Sequence, residues 1–185
     1  MQHSTETAHL LDLLARRQQG PDRLAQPVAI VGPREASEAQ VDCAYRLALA
    51  LAGAGVPLVC GGKIGVMQAA ARAAHDAGGT CVGLLPEEDA AYGNPYLTVS
   101  LPTGLGLSRN MLVARAGACL VAVGGGLGTH SEIAMALQWK KPVFSICMAP
   151  ELPGVQAFDD EDALLAATAR WLLEFSPQGN RDLGG

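Results

Sequence analysis

The sequence predicts a single-domain, doubly wound α/β fold with a mostly parallel sheet, and three observations predict it. Short, wholly apolar runs recur along the chain: VAIVG (28–32), VPLVCGG (56–62), TCVGLLP (80–86), ACLVAVG (118–124) and PVFSIC (142–147). Helical stretches separate most of them, at 38–54, 66–77, 107–117, 130–138 and 160–175. Several runs end on glycine. Strands that are apolar on both faces belong to a parallel sheet covered by helices on each side, and strand–helix alternation winds such a sheet with right-handed crossovers.

The remaining segments follow from local signals. Residues 4–19 read as an amphipathic helix with Leu10, Leu11, Leu13 and Leu14 on one face. Arg16 and Arg17 suit its carboxyl end, and Gly20–Pro21 stops it. That helix is expected to dock on the domain or on a partner copy. LTVSLP (97–102) reads as a short additional strand after the polar, turn-forming EEDAAYGNPY (87–96). The expected organisation is an N-terminal helical extension over 1–26, a Rossmann-like domain over 27–175 and a flexible tail over 176–185.

Composition narrows the function. The 185 residues suit one domain. Only 17% are charged, against about 25% in an average soluble domain, which points to surface hidden in a homodimer or larger homo-oligomer. The net charge of −5 gives no basic field for nucleic acid. Cys43, Cys60, Cys81, Cys119 and Cys147 are odd in number and form no Cys-x-x-Cys pair. They read as reduced thiols in a cytoplasmic protein, with neither a disulfide framework nor a metal site. No stretch reaches the roughly 18 apolar residues of a membrane span, and the N-terminus lacks a signal-peptide pattern.

In an open parallel sheet, ligands bind outside the carboxyl ends of the strands. The loops leaving those ends are GPREAS (32–37), GGKIGVM (61–67), PEEDAAYGNPY (86–96) and GGGLGTHSE (124–132). Two of them are glycine-rich turns entering a helix. Glycine allows close backbone approach, and a helix N-terminus offers unpaired N–H groups with partial positive charge. The loop 124–129, with Thr129 at the helix start, is therefore the expected phosphate cradle. It is neither GxxxxGK[ST] nor G-x-G-x-x-G, which excludes a P-loop nucleoside triphosphatase and disfavours a dinucleotide site. Pro33 lacks an N–H, so the first loop is expected to wall the pocket.

Glu132 is expected in the first helical turn, where it either answers the helix dipole or faces the sugar of a bound nucleotide. Arg109 opens the preceding helix. It either clamps a phosphate, pairs with an acid such as Glu132, or lies on the surface. The histidines form no ligand cluster, and a G-x-S-x-G turn is missing.

GGKIGVM and GGGLGTHSE resemble the two glycine motifs of the LOG ("Lonely Guy") superfamily, whose best-known members are nucleoside 5′-monophosphate phosphoribohydrolases. The second motif there is PGGxGTxxE, and Gly124 stands at its proline. Arg109 and Glu132 lie 23 residues apart, the separation of that family's catalytic pair. Asn110 stands where the family carries a basic residue. The SRN (108–110) and NPY (94–96) elements resemble a bacterial branch related to DprA, which is similar in turn to molybdenum-cofactor carrier proteins.

The resemblance implies phosphate or nucleotide binding by Gly61, Gly62, Gly65 and Met67 of the first motif and Gly125, Gly126, Gly128 and Thr129 of the second. It implies catalytic roles for Arg109 and Glu132, with no cofactor and no metal. The reaction implied is hydrolysis of an N-glycosidic bond. A leaving-group acid would then come from Glu87, Glu88 or Asp89. The rival it implies is a non-catalytic carrier or sensor of a nucleotide or a phosphorylated pterin. A single-stranded DNA binder would call for a basic groove and more aromatic residues.

Overall fold

The computed structural model describes residues 3–150 and 152–176. Seven strands form one sheet in the order β4-β3-β2-β1-β5-β6-β7. They are β1 (Val28–Val31), β2 (Leu58–Cys60), β3 (Cys81–Leu85), β4 (Val99–Pro102), β5 (Leu120–Val123), β6 (Val143–Ile146) and β7 (Gln156–Ala157). Every neighbouring pair is parallel. Six helices accompany them: α1 (Thr5–Gln19), α2 (Glu38–Gly53), α3 (Val66–Asp76), α4 (Asn110–Ala116), α5 (Leu127–Gln138) and α6 (Glu161–Glu174). The expected doubly wound α/β fold is what forms.

Alternate strand residues point to opposite faces. Val28, Ile30, Cys60 and Val121 pack with α2, α3 and α6. Ala29, Val31, Val59 and Ala122 pack with Val113 and Ala114 of α4 and Ile133 and Ala136 of α5. Four of the five cysteines are buried, and all five are unpaired. No helix of the described residues is long and apolar enough to cross a membrane.

Three boundaries differ from the sequence expectation. The helix expected from 130 starts at Leu127, because glycine in its first turn hides the apolar period. The helix expected over 107–117 begins as a 3-10 turn (Gly106–Arg109) and turns α-helical only at Asn110. The two-residue β7 is too short and too exposed to leave a pattern. The expected tail lies, from residue 177 onward, outside the described residues.

The strand order places the site. From β1 the chain winds outward through β2, β3 and β4; from β5 it winds the other way through β6 and β7. The loops leaving β1 and β5 therefore diverge and open a crevice at the carboxyl edge of the sheet.

Helix α1 docks on this domain through its contact with α6. Leu14 is fully buried. The Arg17 guanidinium donates to the carbonyls of Leu172 (2.6 Å), Leu173 (3.1 Å) and Phe175 (2.8 Å), filling the open carboxyl end of α6. Arg17→Leu is expected to lower the unfolding free energy by about 2 kcal/mol, the scale of hydrogen bonds from a charged donor. Urea denaturation checks it, and a loss below about 0.5 kcal/mol would mean the cap adds little.

Candidate functional site

A cleft of about 320 Å³ opens at the divergence of β1 and β5. Gly32, Pro33 and Arg34 wall one side, and Gly126, Gly128 and Thr129 the other; Gly61, Met67, Arg109 and Glu132 line the rest. Seven of the ten expected site residues thus meet in one cleft. Gly62, Gly65 and Gly125 are not among its lining residues.

The three outliers hold the walls in place. A side chain on Gly65 would meet the carbonyl oxygens of Pro33 and Arg34 at 2.4 and 2.3 Å. One on Gly62 would collide with Leu85, and one on Gly125 with Thr129 and Pro150. Gly61 has a different use. A Cβ there would lie 2.4–2.6 Å from the Arg109 guanidinium. Its bare backbone is the seat of that side chain.

Arg109 is 5% exposed, which excludes the surface alternative. Its Nη2 donates to the Gly61 carbonyl at 3.0 Å and its Nη1 to Asn110 Oδ1 at 2.8 Å. Among the described residues Nε is buried without a partner. Nη1 stands 3.7 Å from Glu132 Oε1, an ion pair without a hydrogen bond. Among the described residues Glu132 accepts no hydrogen bond, although it is only 6% exposed. Burial pushes its carboxyl up from an ordinary 4.5 to about 7, and the charge of Arg109 offsets only part of this. Burial also depresses Arg109, with Glu132 opposing.

Because α5 begins at Leu127, Glu132 falls in the second turn, and no acid occupies the first. Dipole compensation at the helix start is therefore not its role. The beginning of α5 is itself open. Helices α1, α2 and α6 are capped by the side chains of Ser4, Ser37 and Asp160. At α3, the Val66 N–H is taken by the Pro33 carbonyl at 3.2 Å. At α5 the N-cap is Gly126, which has no side chain to offer. Among the described residues, no acceptor meets the amides of Leu127, Gly128 and Thr129, and Gly128 and Thr129 line the cleft. The open amides mark the α5 loop as a candidate anion cradle. The loop at 61–65 also seats Arg109, and Gly61 and Met67 line the same cleft.

The Gly124 backbone has φ +61°, and its N–H donates to the Ile146 carbonyl at 2.9 Å. Proline could do neither, so the departure from PGGxGTxxE belongs to how this chain holds its loop.

The NPY element braces the first glycine motif. The backbone N–H of Asn94 donates to the Gly62 carbonyl (2.9 Å) and its side chain to the Lys63 carbonyl (3.1 Å). The three acids offered as leaving-group donors are not among the lining residues. Glu87 takes a bond from Lys63 Nζ at 2.8 Å; burial pushes its carboxyl up, but this bond and the lysine charge outweigh it and hold it low. Asp89 accepts from the Ala91 amide. Sequence reasoning missed Arg34, an exposed cation on the cleft wall, and Asn110, which also lines it. Arg34 had a signal: it follows the first strand, on the side where ligands bind. Among the described residues, no three His, Cys, Asp or Glu side chains group to hold a metal.

The arrangement has known counterparts. The chain belongs to the SLOG cluster4 family, whose model matches residues 25–170. It is 34% identical over 132 residues to an uncharacterised protein of Archaeoglobus fulgidus, covering 71% of this chain and 87% of that one. It is 37% identical over 97 residues to the cytokinin riboside 5′-monophosphate phosphoribohydrolase of Rhodococcoides fascians, covering 49% of this chain and 48% of that enzyme. Among solved structures, the molybdenum cofactor binding protein of Rippkaea orientalis superposes with TM-score 0.74 at 27% identity, over 81% of this chain and 99% of its own. The molybdenum cofactor carrier protein of Chlamydomonas reinhardtii gives 0.72 at 32%, with the same coverage. The DNA processing protein A of Helicobacter pylori shares the fold, with TM-score 0.63 at 21% identity over 93% of this chain and 85% of its own.

The raised Glu132 has a signed consequence. Its folded form holds the proton more tightly than the unfolded chain does. The associated stability is present in full below about pH 4.5 and is lost as pH rises through about 7. Glu132→Gln is therefore expected to gain on the wild type over that window, by up to about 3 kcal/mol. Thermal or urea unfolding at pH 4.5 and 7.5 measures the difference, and a constant difference would show that Glu132 titrates normally.

Proposed function

We propose that the cleft binds a nucleoside 5′-monophosphate, with the phosphate on the N-terminus of α5 and the ribose between Arg109 and Glu132. The uncapped amides at the start of α5, where Gly128 and Thr129 line the cleft, carry this reading. Three free N–H groups, a helix dipole and the Arg34 and Arg109 cations favour an anion there. Gly126 and Gly128 leave room for it. The likeness to the Rhodococcoides fascians enzyme over 97 residues supports a nucleotide.

The reaction this arrangement supports is hydrolysis of the N-glycosidic bond, releasing the free base and ribose 5-phosphate. Glu132, with no hydrogen bond of its own, stabilises developing positive charge on the sugar or activates water once ionised. Arg109 answers the phosphate charge; a guanidinium is a poor proton donor. The ligand is a small molecule rather than single-stranded DNA, in keeping with the net charge of −5. The apolar residues Leu107 and Leu127, exposed at and beside the cleft mouth, support a homo-oligomer. The five unpaired cysteines support a cytoplasmic location.

One observation favours a second reading. Glu132 is the single carboxylate among the cleft-lining residues, so no second acid is there to protonate a leaving base. The same cradle without turnover suits a carrier, and the likeness to molybdenum cofactor binding proteins along nearly their whole length supports a phosphorylated pterin as cargo.

Incubation with AMP, GMP, CMP and UMP, followed by chromatography of free base, separates the two. The expected result is base release that rises with pH through about 7 and disappears in Glu132→Ala. Binding without release assigns the site to carriage. Failure to bind either nucleotides or phosphorylated pterins at saturating concentration would refute both.

A further inference from the structure

Arg109 and Glu132 are buried side by side, yet they do not close. Nη1 of Arg109 bonds Asn110 Oδ1 at 2.8 Å and stops 3.7 Å short of Glu132. Two opposite charges sharing a cleft normally collapse into a direct pair, since water screens them poorly there. Something holds them apart.

Asn110 has the geometry to do so. Its amide is fixed from both ends. Oδ1 accepts from Arg109, while Nδ2 donates to Ser131 Oγ at 3.1 Å and to the Gly128 carbonyl at 3.4 Å. Ser131 Oγ donates in turn to the same Gly128 carbonyl at 2.7 Å. The donor end is anchored to the first turns of α5, so the acceptor end is left facing the guanidinium. Arg109 is held from the other side by Gly61. A lysine or arginine at 110 could not accept that bond and would repel the guanidinium.

We propose that Asn110 is a positioning residue that holds the Arg109 guanidinium off Glu132 and so keeps the gap between the two charges open for a ligand. The role of that gap rests on the binding site proposed above; the separation of the charges does not. A ligand hydroxyl that donates to Glu132 meets a free acceptor. A ligand phosphate meets an arginine that is aimed and not already spent on a carboxylate. Ser131 belongs to the device, because it selects the amide orientation. SRN and the serine of GGGLGTHSE, remote in sequence, are joined by that one hydrogen bond.

The test reads Glu132 in ligand-free protein by carbon-13 NMR of its side-chain carboxyl, assigned by its loss in Glu132→Gln. The other charged or titratable groups near the pair are Arg34, Glu87 and Cys60, and the substitutions leave them in place. In Asn110→Leu the guanidinium is released toward Glu132, and the carboxyl is expected to titrate at least tenfold more readily, about one pH unit lower. In Asn110→Asp a new carboxylate keeps Arg109 and adds a like charge, so Glu132 is expected to titrate higher than in the wild type. A purely structural role would not move the two variants in opposite directions. Ser131→Ala, a milder change, is expected to shift Glu132 downward by a smaller amount, and it serves if the Asn110 variants do not fold. An unchanged Glu132 midpoint in Asn110→Leu, or in Ser131→Ala should the former unfold, overturns the proposal. Calorimetry with AMP is run beside it, with tenfold weaker binding expected in Asn110→Leu. Opposite midpoint shifts without AMP binding to the wild type would leave Asn110 as positioned here and remove the proposed ligand.

Discussion

Burying a guanidinium is costly unless its charge and donors find partners, and in this chain Arg109 sets that demand. The Gly61 carbonyl and the Asn110 amide accept from its two Nη groups, the Glu132 charge stands opposite, and Nε is left over. Each brings a different part of the fold to one point. Gly61 follows β2, Asn110 opens α4, and Glu132 lies in the second turn of α5. The glycine at 61 follows from contact with the guanidinium, because any Cβ would occupy its place.

The bracing spreads outward from there. Asn94 bonds the carbonyls of Gly62 and Lys63, and Lys63 reaches Glu87 and the Tyr92 carbonyl. The loop after β3 therefore steadies the loop after β2. Gly65 admits the Pro33 and Arg34 carbonyls against the start of α3, where the Pro33 carbonyl takes the Val66 N–H and fixes the loop after β1. The α5 terminus is left uncapped at the cleft, beside a buried ion pair.

Much of this could be read from the sequence. Apolar runs alternating with helices gave the sheet, because burial on both faces removes polar residues from a strand. The two glycine motifs and the Arg109–Glu132 spacing led to the cleft. The division of labour between the two motifs was not legible. Glycine serves an anion cradle, an arginine seat and a tight crossing of two loops equally well, and only the neighbours tell which. The start of α5 was misjudged for the same reason, since Gly126 and Gly128 mask a helical turn. Asn110 looked like a loss of positive charge, because its partner Ser131 lies 21 residues away in the chain. Arg34 was legible only from its place after the first strand, since an exposed loop arginine carries no motif of its own.

The open α5 terminus is the central claim, and backbone amides report on it directly. Nitrogen-15 amide spectra recorded through a titration with AMP, and separately with inorganic phosphate, test it residue by residue. Both ligands are expected to move the Leu127, Gly128 and Thr129 amides most, while Val66, whose N–H is held by the Pro33 carbonyl, shifts far less. Saturating ligand that leaves the α5 amides in place, or that moves the α3 amides instead, would contradict it.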